Sequence, residues 1–100
     1  MKTFKPKVNI ALQVLPRSAK KDTYSLVDKA IETIDKSGVK YKVCPFETVL
    51  EGRYSELIEI IGKSIKNCLD SGADEIIAYI KVQINRTHDV LISDKMEKYE

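Results

Sequence analysis

The sequence predicts an α+β sandwich: a four-stranded antiparallel sheet with two helices packed on one face. Three observations predict it. Residues 7–15, 39–43, 47–51 and 74–86 alternate apolar and polar side chains, the signature of strands. Two other segments, opening near Asp22 and Ser55, repeat apolar residues at spacings of three and four, the signature of amphipathic helices. The resulting order is βαββαβ, and right-handed crossovers turn it into the spatial strand order 4-1-3-2. The 100 residues are read as one domain, residues 1–100, long enough for one core and no more.

In Lys7 to Leu15, Val8, Ile10, Leu12 and Val14 point one way, and Asn9, Ala11, Gln13 and Leu15 the other. Pro16 is expected to end this strand, because proline donates no ladder hydrogen bond. Asp22 or Thr23 can cap the first helix, whose buried stripe is read as Tyr24, Val27, Ala30, Ile31 and Ile34. Gly38 stands where a helix C-terminus takes a left-handed residue. Val39 to Val43 is the second strand, and Lys40 and Lys42 on one of its faces mark a sheet edge. Cys44-Pro45-Phe46 connects it tightly to Glu47–Glu51, giving a hairpin.

Ser55 is the expected cap of the second helix, with Glu56 and Glu59 favourable near its N-terminus. Leu57, Ile58, Ile61, Ile65, Cys68 and Leu69 supply its apolar stripe, and Gly72 ends it. Asp74 to Arg86 is the last strand. It carries Ile76, Ala78, Ile80, Val82 and Ile84 on one face, and Ile77, Tyr79, Lys81, Gln83 and Asn85 on the other. A short helical turn is expected within Ser93 to Tyr99. The whole is the ferredoxin-like split-βαβ arrangement.

Composition narrows the function. Apolar residues at 43%, charged residues at 32% and a net charge of +2 are ordinary for a globular protein, and too weakly basic to argue for nucleic acid. No apolar run approaches the ~20 residues of a membrane span. The start, MKTFKPKVN, is basic without an apolar stretch behind it, so a cytoplasmic location is expected. Cys44 and Cys68 are expected as free thiols; with His88 far from both in sequence, no metal site is expected. Neither a nucleophile–base pattern nor a glycine-rich phosphate loop is present, so no catalysis is expected. An RNA-recognition domain of the same strand order would set aromatics on the middle strands, where this chain has Asn9, Ala11, Gln13, Glu47, Val49 and Glu51.

Two helices cover one face of such a sheet, and the other is left open. The third strand sets the register. Were Val49 inward, Glu47 and Glu51 would be buried with it at a cost of several kcal/mol. Leu50 therefore faces the helices, and both glutamates stand on the open face. With Asn9, Gln13, Ala11, Leu15, Ile77 and Tyr79 nearby, that face mixes amides and carboxylates with apolar groups, as a small polar ligand beside a subunit contact would require. Read from the residues alone, Glu47 and Glu51 equally fit solvation or pairing with Lys40, Lys42 or Lys81.

Nearly the whole chain resembles the small thiamine-binding proteins of bacteria and archaea. The resemblance rests on Val14-Leu15-Pro16 and on Gly38-Val39-Lys40-Tyr41-Lys42-Val43. It rests further on Pro45 followed by Thr48-Val49-Leu50-Glu51-Gly52, on Gly72-Ala73, and on the Lys95-Met96-Glu97-Lys98-Tyr99 ending. It implies a ferredoxin-like fold, homodimers or homotetramers formed through the open sheet face, and binding of thiamine or its pyrimidine part without transformation. Thr48 and Glu51 match the family block directly; Asn9, Gln13 and Glu47 join them as candidate ligand residues from the face argument. Glu47 departs from the small or neutral polar residue usual there, and either strengthens attraction to a thiazolium cation or fills the pocket. The alternative is a structural or regulatory homo-oligomer without a ligand.

Overall fold

The computed structural model describes residues 5–100; residues 1–4, the first part of the basic start, lie outside them. Its elements are β1 (Val8–Arg17), α1 (Thr23–Ser37), β2 (Lys40–Val43), β3 (Thr48–Gly52), α2 (Tyr54–Asp70), β4 (Glu75–Gln83), α3 (Ile92–Met96) and a closing 3₁₀ turn, Glu97–Tyr99. The sheet is antiparallel throughout, in the order β2-β3-β1-β4, which is the expected 4-1-3-2.

The register follows the alternation. Ile10 pairs with Leu50 and Val82, and Leu12 with Thr48 and Ile80, on the helix side. Asn9 pairs with Glu51 and Gln83, and Gln13 with Tyr79, on the other. The helices seal the centre of the sheet: Val8, Ile10, Leu50 and Leu57 are wholly buried, packed with Ala30, Ile34, Ile61 and Cys68. Each such aliphatic side chain contributes about 1.5–3 kcal/mol by leaving water.

Local signals set the helix ends. Asp22 caps α1, its carboxylate accepting from the Ser25 N–H at 3.2 Å, and Gly38 takes the left-handed conformation at φ 82°. At α2 the expected cap is displaced. The helix begins at Tyr54 with Arg53 before it and no side-chain cap, so Ser55 lies inside the first turn.

Pro16 does not end β1, which runs on to Arg17. The carbonyl of Arg17 accepts from the Asp74 N–H at 2.7 Å and so faces the β4 side. Alternation turns the nitrogen of Pro16 the other way, where β3 has already departed after Leu12. The missing N–H therefore breaks no bond.

Several apolar positions lie outside the core. Tyr24 is 80% exposed in the first turn of α1, whose buried residues are Leu26, Ala30 and Ile34, and Ile58 and Leu69 flank the buried stripe of α2 rather than joining it. The helices also roof only the first half of β4: Ile76 and Ala78 pack on the core, while Ile80, Val82 and Ile84 face solvent. The open face is itself partly covered. After β4 the chain doubles back, the Val90 N–H bonds to the Lys7 carbonyl at 3.0 Å, and Val90 and Ile92 are buried.

Candidate functional site

The early departure of β3 creates the site. Beyond Leu12, β1 is paired only with β4, leaving one edge bare. The hairpin turn from Cys44 to Glu47, closed by the Cys44 N–H on the Glu47 carbonyl at 2.8 Å, folds beside that edge. The first turns of α1 overhang it. Between them lies a cavity of about 360 Å³. Leu12, Val14, Val27 and Ile31 line it with hydrocarbon, and the exposed rings of Tyr24 and Phe46 stand at its rim. Its polar groups are Gln13, Asp28, Glu47, Thr48 and the hydroxyl of Thr23. Two carboxylates and no lysine or arginine line it among the described residues. That electrostatic character suits a cation with an apolar body.

Glu47 extends from the turn to Lys81 on β4, with Nζ 2.9 Å from Oε1 and 3.2 Å from Oε2. Lys81 is largely exposed, so the pair is worth under about 1 kcal/mol. Thr48 is buried on the helix side, opposite Leu12 and Val43.

Asn9 and Glu51 stand elsewhere. Four positions separate Glu51 on β3 from Glu47 in the turn before it, about 13 Å along an extended chain. Glu51 is 7% exposed beneath the C-terminal segment. Its Oε1 accepts from the Ile92 N–H at 2.5 Å and lies 3.5 Å from Asn9 Nδ2, while Oε2 is 3.9 Å from Lys40 Nζ. Asn9 donates to the Val90 carbonyl at 3.0 Å and accepts from Lys95 Nζ at 2.8 Å. The carboxylate thus does for α3 what a cap side chain does from within a helix. Lys42 completes the lock by pairing with Glu100. The structure therefore gathers Gln13, Glu47 and Thr48 at the cavity, and places Asn9 and Glu51 under the closing segment.

Asp28 and Tyr24 were missed as site residues by reasoning from the sheet. Their i,i+4 spacing on α1 was the available signal, since it puts both on one helix face. Tyr79, expected near the two glutamates, lies on the open face of β4 and does not line the cavity. Among the described residues no group of three or more His, Cys, Asp or Glu side chains could hold a metal ion.

The cysteines differ in reach. Cys44 lines the cavity and is half-buried; Cys68 is fully buried, its Sγ donating to the Leu26 carbonyl at 3.0 Å. Burial pushes the Cys68 thiol above its ordinary pKa, which suppresses the reactive thiolate. Iodoacetamide is expected to modify Cys44 in the native protein and Cys68 only after unfolding, as intact-mass measurements would report. Equal native rates would contradict this.

A sequence model of the thiamine-binding protein family matches residues 10–100. A UPF0045 protein of Clostridium perfringens, CPE1503, is 38% identical over 91 residues, covering 91% of this chain and 95% of that protein. Among solved structures, a domain of unknown function, DUF77, from Bacillus cereus superposes with a TM-score of 0.93 at 37% identity, covering 100% of this chain and 96% of its own. A Thermotoga maritima protein, TM0486, proposed to act in thiamine biosynthesis or salvage, superposes with a TM-score of 0.86 at 25% identity, covering 95% of this chain and 100% of its own. No described helix is long and apolar enough to cross a membrane. The match over residues 10–100 shows that this chain belongs to the thiamine-binding protein family.

Proposed function

We propose that the protein binds thiamine, or a compound with the same aminopyrimidine and thiazolium parts, in the cavity between α1 and the β2–β3 turn, and does not transform it. One observation carries the reading: a mostly apolar cavity lined by two carboxylates and, among the described residues, no positive side chain. Its volume of about 360 Å³ falls in the range of roughly 300–1,000 Å³ that small-molecule sites occupy. Glu47 and Asp28 attract the permanent cation, Thr48 and Gln13 supply hydrogen bonds, and Tyr24 or Phe46 offers a ring face. Asn9 and Glu51 act one step removed, by holding the C-terminal segment. The two free thiols suit a reducing compartment, the cytoplasm.

Lys81 competes with the ligand for Glu47. Lys81→Ala is therefore expected to tighten thiamine binding about two- to fivefold, the equivalent of one exposed ion pair. Weaker binding in that variant, measured by equilibrium dialysis, would remove Glu47 as the partner of the cation.

The rival reading, an oligomer without a ligand, draws support from the same Glu47–Lys81 pair, which already satisfies the carboxylate. Self-association is part of both readings. β4 supports it: a nine-residue edge strand exposing Ile80 and Val82 on one side and Ile77 and Tyr79 on the other. Such an edge is a template for pairing with a second copy. Light scattering at high micromolar concentration is expected to show a dimer or tetramer, and Val82→Lys to shift it towards monomer. A monomeric wild type would end this part of the proposal.

A further inference from the structure

We infer that the main chain of Val14 reads the edge of the bound heterocycle. The inference rests on the thiamine reading above and names the contact that orients the ligand. In β1 successive residues turn their N–H and C=O groups to opposite sides. Arg17 faces β4, as its bond from Asp74 shows, so Gln13 and Leu15 face β4 as well, opposite Tyr79 and Ile77. Ile10, Leu12 and Val14 face the other way. Ile10 and Leu12 are satisfied by Leu50 and Thr48. Val14 would pair next with Phe46, but the hairpin has already turned there, and the carbonyl of Glu47 is taken by the Cys44 N–H.

By this alternation the Val14 N–H and C=O turn towards the cavity that Val14 lines, past the last β1–β3 pair, and no turn or side-chain group among the described residues bonds to them, on a residue only 9% exposed. Backbone groups so placed are nearly always paired, and leaving them bare among hydrocarbon is costly. A donor and an acceptor on the same side of one extended residue match a ring that carries an acceptor nitrogen beside an amino donor. The aminopyrimidine of thiamine has that edge. Its ring nitrogen accepts from the Val14 N–H and its amino group donates to the Val14 carbonyl, with the thiazolium left for Glu47 and Asp28. The class of ligand is thereby narrowed to flat cations with an adjacent donor–acceptor edge.

Amide hydrogen exchange of the full chain, followed by NMR with and without thiamine, tests this. In the free protein the Val14 N–H is expected to exchange at least about tenfold faster than those of Gln13 and Leu15. Saturating thiamine is expected to slow it roughly tenfold. Oxythiamine, whose oxo group replaces the amino donor, is expected to bind about tenfold more weakly. Slow exchange of Val14 in the free protein would overturn the inference. Calorimetric binding of thiamine with Val14 exchange unchanged would also overturn it while leaving the proposed function standing. No binding of thiamine at all would remove both.

Discussion

Replacing Glu51 with alanine is expected to cost about 2 kcal/mol of stability and to free the C-terminal segment from the sheet. The carboxylate is buried beneath that segment and holds the Ile92 N–H at the start of α3, with Asn9 beside it. Removing it leaves a buried donor without an acceptor and takes away the partner of Lys40. For a domain of this size, about 2 kcal/mol corresponds to a Tm lower by roughly 8–16 °C. Glu51→Gln should fall between, since an amide oxygen still accepts from Ile92. Thermal unfolding followed by circular dichroism checks the size, and faster exchange of the Ile92 amide checks the cause. An unchanged Tm in Glu51→Ala would mean that the carboxylate does not anchor the segment.

Glu47 should show the opposite signature. Glu47→Gln is expected to weaken thiamine binding about tenfold, and Glu47→Lys at least about a hundredfold, because the reversal sets a cation against a cation. Stability should change by less than about 1 kcal/mol, since the lost partner is an exposed lysine. Raising the salt concentration should weaken wild-type binding more than that of Glu47→Gln, because screening acts on the charge the variant lacks. Calorimetry at two ionic strengths reports both. Glu47→Lys binding as tightly as wild type would place the ligand elsewhere.

The contrast between these two glutamates shows what the chain alone could reveal. Alternation along Val8–Val14 and Ile76–Val82 was enough to give strands, register and the inward position of Leu50, because a one-residue slip would bury charge. Asp22 and Gly38 marked α1 through side-chain and backbone preferences that act locally. Pro16 misled because the rule against proline in strands presumes a neighbour on both sides, and β3 had left by then. Tyr24 misled because helical spacing tells which residues share a face, not how far round it the core reaches, and on α1 the core takes Leu26 instead.

Glu51 was correctly assigned to the open face beside Asn9, while Glu47 lies in the turn before β3, and the surroundings of neither were legible. What separates them is residues 88–100 folding back over Asn9 and Glu51, a tertiary event carried by single bonds from Val90, Ile92 and Lys95. The cavity was hidden for a related reason. It depends on β3 being shorter than β1 and on α1 overhanging the gap, neither of which has a periodicity to read.

The most direct measurement is isothermal titration of thiamine into the wild-type protein, Glu47→Gln and Glu51→Gln under identical conditions. Saturable binding to wild type, weakened about tenfold in Glu47→Gln and changed less than about threefold in Glu51→Gln, is the expected result. No heat with wild type, or loss of binding confined to Glu51→Gln, would contradict the assignment of the cation to the cavity beside β1.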